Sequence, residues 1–381
     1  MPTLIDIAKA ANVSPSTASL VLNKRPGRKA ASVKATAAVM EAARKLGYVP
    51  NYHARSMKTG RAQAIALALH TEPAAVVSDT RLGNQYFGSL VGGVEIVLAQ
   101  AGYSMIVVPS EGSLLAPDRA VAMLRQRQVD GVVAIGVTLD GIDKPLFEQH
   151  PPLETEAVVV LHPPPRGLSR QIGSVAWDEA HGVRLAVEHL VQLGHDKILW
   201  LAPAGGRLQS PIIREQLVMQ MGWDCGVRGG GRVYFEDCNF DDATIKSSAD
   251  SGHAVTERNA AAAEAALRQH LRANKTRDYT AILCYSDLAA AGALRALRRA
   301  NLRVPEDVSV VSFDDLQASY LDPPVTSVNQ MLVQMGRRAG RMLLDALEAE
   351  DSAAAVRELN KRQDVIKPEI VVRQSTGPAE R

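Results

Sequence analysis

Near the start of the chain, Ser14, Pro15, Ser16, Thr17, Ser19 and Leu20 set four hydroxyl groups within six positions. A hydroxyl both donates and accepts, so such a row suits contacts to phosphate oxygens and base edges. The surrounding charge points the same way. Residues 1–61 hold eleven Lys and Arg against two acidic residues, a net +9, whereas the whole chain is +2, which leaves −7 for the remainder. A basic head on an acidic body is the electrostatic footprint of a polyanion binder, here a duplex.

Capping and periodicity identify the elements that must carry these groups. Thr3 with Asp6 reads as a capping box, and Leu4, Ile7, Ala8 and Ala11 fall on one helix face. Asn12 tolerates the left-handed backbone of a tight turn, and Ser14 then caps a second helix with Pro15 at its first position. Ala18, Val21 and Leu22 give that helix a buried face; Val39, Ala42, Ala43 and Leu46 give one to a third helix, closed by Gly47. Two short helices around a tight turn form a helix-turn-helix reader. In the following loop KRPGRKAAS, Arg25, Arg28 and Lys29 are placed to meet phosphates, which position a protein without specifying a sequence.

At 381 residues the chain suggests two or three domains. No apolar run reaches the roughly 18 residues of a membrane span, and with the helix-turn-helix so near the start no signal peptide is expected. Cys225, Cys238 and Cys284 lack metal-ligand spacing, so no metal site is expected. No GxSxG, HExxH or Walker motif occurs and the nine His are scattered, so neither an enzyme nor a cofactor is expected. From Gln63 onward, buried strands such as AIALALH, DGVVAIGV and VSVVSFDD alternate with helices, which means parallel sheets covered on both faces. Pro163-Pro164-Pro165 reads as a stiff crossing between two lobes. Residues 224–258 read as an extended loop or inserted hairpin, and its Gly229-Gly230-Gly231 is not placed to cradle a phosphate.

The run TLIDIAKAANVSPSTASLVLN, followed by LGYVPN and ARSMKTG, resembles the DNA-binding headpiece of the lactose-repressor (LacI/GalR) family. VDGVV, AVEHLVQLGHDKI, NLRVPEDVSVVSFDD and PPVTSVNQ resemble its effector domain. The resemblance implies an α+β multidomain chain: a helix-turn-helix headpiece (1–48), a hinge helix or linker (49–60) and a two-lobed α/β domain like the periplasmic binding proteins (61–381). Lobe 1 would span about 61–163 and 327–352, and lobe 2 about 165–325 and 365–381. The implied function is a cytoplasmic, homodimeric transcriptional regulator, expected to repress. It would bind a near-palindromic double-stranded DNA operator under control of a small-molecule effector, a sugar or related metabolite. No heptad repeat follows the closing strand KPEIVVRQST, so a counterpart of the lactose repressor's tetramer-forming helix is not expected. A regulator answering to a protein partner and a solute-binding protein are the alternatives.

By the same resemblance, DNA contacts fall to Thr3, Ser14, Pro15, Ser16, Thr17, Ser19, Leu20, Asn23, Tyr48, Asn51, Ala54, Arg55, Met57 and Lys58, and the basic loop, longer than in the family, adds Arg25, Arg28 and Lys29. Met57 stands where the family carries a Leu that wedges into the minor groove. Leu20 stands where it usually carries Arg, which exchanges a guanine grip for apolar contact suited to a thymine methyl. The effector would meet Asn84, Tyr86, Phe87, Trp177, Asp178, Asp287 and Asp314. Helix capping by Asp287 and Asp314 and core packing by Phe87 are the plainer readings of those residues. The family's ligand-clasping Arg aligns with Met219, which leaves Arg214, about a turn and a half upstream, as its substitute.

Overall fold

The computed structural model describes residues 2–22, 31–48, 60–70, 85–108, 116–136, 147, 149–161, 172–204, 209–224, 232–236, 255–274 and 277–379. It divides into two compact units, Met1–Ala62 and Gln63–Arg381.

The first unit is built from α1 (Leu4–Ala10), α2 (Pro15–Leu22) and α3 (Val33–Lys45). The Thr3 hydroxyl accepts from Asp6 N–H while the Asp6 carboxylate accepts from Thr3 N–H at 2.8 Å, a reciprocal box that satisfies two helix-end donors. Asn12 takes φ 52° in the turn, as the sequence requires there. Ile7, Ala8, Ala18, Val21, Val39 and Ala42 form the small core. Leu46, expected inside, is 43% exposed, because it follows the last helical turn and no longer faces the other two helices.

The second unit holds two six-stranded sheets. The first joins β1 (Ala64–His70), β2 (Ser104–Val108), β3 (Gly131–Gly136), β4 (Val158–Leu161), β5 (Gly173–Trp177) and β11 (Gln363–Ile366) in the order β11-β5-β4-β3-β1-β2. The second joins β6 (Ile198–Ala204), β7 (Arg232–Glu236), β8 (Ala281–Cys284), β9 (Ser309–Asp314), β10 (Thr326–Asn329) and β12 (Glu369–Val371) in the order β12-β10-β9-β8-β6-β7. All pairings are parallel except β10 with β12. The helices are α4 (Gln85–Gln100), α5 (Ala116–Arg125), α6 (Glu179–Gln192), α7 (Gln209–Asp224), α8 (Val255–Ala273), α9 (Asp287–Arg299), α10 (Leu332–Glu348) and α11 (Ser352–Leu359).

Sheet membership moves the expected lobe boundaries. β5 belongs to the first sheet, so the chain crosses after Trp177, not at Pro163–Pro165, which lie outside the described residues. β10 belongs to the second sheet and β11 to the first, so the return crossings follow Asn329 and Ile366. Within 224–258, read as loop or hairpin, β7 is a parallel edge strand pairing β6. Helices α4 and α10 cross backbone to backbone in the first lobe. A Cβ on Gly336 would stand 2.1 Å from Leu90 O, so only glycine fits that crossing.

Candidate functional site

On the first unit, α2 turns Ala18 and Val21 inward. A helix advances about 100° per residue, so Ser16 and Leu20, four apart, share the opposite face. Ser16 is exposed and Leu20 half-buried. The neighbouring hydroxyls are already employed. Ser14 Oγ accepts from Thr17 N–H at 3.1 Å and lies 2.9 Å from Thr17 Oγ1, and the Thr3 hydroxyl donates to Asp6 at 2.7 Å. These groups build the helix starts, and Ser16 and Leu20 form the outward-facing pair of α2. Ser19 is half-buried, Pro15 is exposed, and the Tyr48 ring packs on the three-helix core. Asn23, Arg25, Arg28, Lys29, Asn51, Ala54, Arg55, Met57 and Lys58 lie outside the described residues.

In the second unit the strand ends bring a constellation together between the lobes, the usual ligand position for such sheets. Arg214, Val218 and Met221 fall at i, i+4 and i+7 and form the buried face of α7. Arg214 Nε donates to Glu179 Oε1 at 2.6 Å and its Nη1 to the Tyr285 carbonyl at 2.7 Å. The guanidinium carbon lies 4.6 Å from the Phe313 ring centre, 4.9 Å from Tyr285 and 5.0 Å from Trp177. Burial works against its charge, but Glu179, Tyr285 and Asp314 outweigh that and keep it protonated. Met219, the position aligned with the family's Arg, packs instead on the apolar core. The cation therefore comes from Arg214, because helix phase and not alignment column decides which side chain faces inward.

Asp314 ends β9 with φ 101°, followed by Asp315 at φ 54°, two strained backbone positions in succession. Ion pairing of Asp315 with Arg373 at 2.5 Å and donation from Asn329 at 3.0 Å hold the bend. Gln330 Nε2 donates to Asp314 Oδ1 at 2.7 Å, and the fully buried Gln330 Oε1 has no donor among the described residues. Desolvation pushes the Asp314 carboxyl up to about 7, with Arg214 pulling the other way. From the first lobe, Tyr86 presents a phenol driven well above its ordinary range by desolvation and by the nearby Asp314 charge. Gln317 Nε2 donates to Gln85 Oε1 at 2.6 Å, so the lobes touch across the cleft in this structure.

Three of the expected cleft residues have structural roles within the described residues. Asp287 is fully buried, and its oxygens accept from Ser312 (2.6 Å), Ser327 (2.9 Å) and the backbone N–H groups of Leu316 (2.7 Å), Gln317 (2.9 Å) and Ala318 (3.2 Å). A carboxylate so saturated by protein donors offers nothing to a ligand; it shapes the loop after Asp314. Nor is it the helix cap, since Ser286 caps α9. Asp178 caps α6 by accepting from His181 N–H at 2.9 Å. Phe87 packs edge-on against Tyr86 at 5.7 Å and on the core. Asn84 lies outside the described residues. Glu179, Tyr285, Phe313 and Gln330 were not singled out from sequence. Each adjoins a residue or motif that was, but their placement depends on the turn of β9 and the phase of α7.

Comparison with known proteins places both units. The model for bacterial regulatory proteins of the lacI family matches residues 3–51, and that for the periplasmic binding protein-like domain matches residues 187–376. The transcriptional regulator CelR of Thermobifida fusca is 30% identical over 354 residues, covering 92% of this chain and 93% of its own. The transcriptional repressor PurR of Aliivibrio fischeri is 27% identical over 379 residues, covering 99% of both chains. Among solved structures, a CelR–cellobiose complex superposes with a TM-score of 0.59 at 25% identity, over 98% of this chain and 100% of its own. A lac repressor dimer bound to operator and the anti-inducer ONPF superposes at 0.64 and 22% identity over 99% of both chains.

Proposed function

This chain belongs to the lacI family of bacterial regulatory proteins, as an effector-controlled DNA-binding transcriptional regulator, and we propose that its effector is a neutral polyhydroxyl or purine-like metabolite held between Arg214 and Asp314. The observation that carries the proposal is the fixed guanidinium ringed by Trp177, Tyr285 and Phe313, facing a carboxyl that accepts from a single described donor. Paired hydroxyls or ring N–H groups can donate to Asp314 while the aromatic faces cover an apolar edge. Arg214 is already neutralised by Glu179, which favours an uncharged ligand over a carboxylate or phosphate in this cleft. The headpiece acts as the reader, with Ser16 and Leu20 toward the major groove of a near-palindromic operator bound by a homodimer. Calorimetry of the full chain against neutral sugars and purine bases tests the effector reading. One member of the panel should bind, and Arg214→Gln should remove that heat. If nothing small binds the wild type, a protein partner controls this regulator.

A further inference from the structure

We propose that a groove on the first lobe, between the outer flanks of α4 and α10 and apart from the interlobe cleft, binds a phosphorylated small molecule. Three guanidiniums, those of Arg337, Arg338 and Arg341, line it beside Gln334, over the apolar side chains of Ile96 and Ile366, around a volume of about 530 Å³. They share one stripe of α10, because positions 337, 338 and 341 recur at helical spacing. The stripe is brought beside the α4 flank by the glycine crossing, where Gly93 and Gly336 let the two backbones meet.

The cations outnumber their partners. Arg338 Nε donates to Asp364, but the same carboxylate also accepts from Arg362 at 2.9 Å and 3.0 Å, so two guanidiniums divide one acid. Arg337 and Arg341 are exposed and pair with no acid among the described residues. Asp345 stands one turn beyond Arg341 and forms no ion pair among the described residues, and neither it nor Glu95 lines the groove. Like charges stacked on one helix face repel and gain nothing by proximity unless an anion lies between them. Guanidinium forks match the oxygens of a phosphomonoester, and a neighbouring amide with an apolar floor suits the body that carries it. A groove of about 530 Å³ has room for a phosphorylated small molecule.

The test is calorimetric titration of the full chain with ribose 5-phosphate, ribose, inorganic phosphate and a phosphoserine peptide. Wild type should bind ribose 5-phosphate saturably and more tightly than inorganic phosphate. Ribose should give no heat that depends on Arg337 or Arg341. The double variant Arg337→Gln/Arg341→Gln should lose at least tenfold in affinity. Its lysine counterpart, Arg337→Lys/Arg341→Lys, should recover part of it, since charge survives and the fork does not. Both variants leave the Arg338–Asp364 pair intact. Arg214→Gln should leave ribose 5-phosphate binding unchanged. Equal affinity for inorganic phosphate would mean diffuse attraction and no site. Binding unaffected by the double glutamine variant, binding abolished by Arg214→Gln, or binding by the peptide alone would each overturn the proposal.

Discussion

Arg214 and Glu179 meet at 2.6 Å with side chains 3% and 19% exposed, an ion pair that fixes the inner face of α7 to the first turn of α6. It holds the guanidinium carbon within 5.0 Å of three aromatic ring centres and explains why a buried cation is tolerated there. Arg214→Met should cost about 3 kcal/mol, because it strands a largely buried carboxylate. Urea unfolding monitored by circular dichroism measures this. An unchanged midpoint would mean that Glu179 finds other donors and that the pair is not what fixes the cleft wall.

Asp287 should separate structure from binding. Removing its carboxylate in Asp287→Ala leaves two buried hydroxyls and three backbone N–H groups without their acceptor, at about 1–3 kcal/mol per unsatisfied group before relaxation. Several kcal/mol of lost stability is expected, read as a depressed denaturation midpoint. Effector affinity of the fraction that remains folded should change by much less than it does in Arg214→Gln. Loss of binding with full stability would return Asp287 to the ligand's surface.

The triad of headpiece helices, the βα alternation and most strands were readable from sequence, because each rests on local capping or on hydrophobic period. Strands β5, β7, β10 and β11 were not. β5 follows the Pro163–Pro165 stretch, and β7 and β11 are short sheet-edge strands whose place depends on a partner far along the chain. The cleft was half legible. Asp314 and Tyr86 follow from motif position, whereas the preference for Arg214 over Met219 depends on helix phase, and the saturation of Asp287 depends on a bend two strands away.

Asp314 gives the cleft a pH signature. Its carboxyl, raised to about 7, holds a proton that the unfolded chain would already have released, so this group withdraws stability as pH climbs from about 4 to about 7. Effector binding runs the other way. A ligand that donates hydroxyls to the ionised carboxylate should bind more tightly as pH rises toward about 7 and level off above it. Calorimetry between pH 5.5 and 8.5 reads the slope, and Asp314→Asn should flatten it. A slope that persists in the asparagine variant assigns the proton to another group.

Leu20 should make the headpiece a weak reader of guanine. With Ser16 as its neighbour on the outward face, the half-site should carry T or A opposite Leu20. Leu20→Arg should shift the preference toward G by about 1–3 kcal/mol, visible in base-by-base competition. Wild-type demand for guanine there would show that another residue reads that base.

The central claim, a DNA reader governed through the interlobe cleft, is tested most directly by one titration. Operator DNA selected from random duplexes is bound to full-length protein at several salt concentrations, with and without the calorimetrically identified effector, for wild type and Asp314→Ala. The account predicts steeply salt-dependent binding in both proteins. The effector should shift wild-type affinity by the equivalent of about 1–3 kcal/mol, and the variant should keep its effector-free affinity but lose the shift. Salt-insensitive DNA binding, or an effector shift of wild-type size in Asp314→Ala, would contradict it.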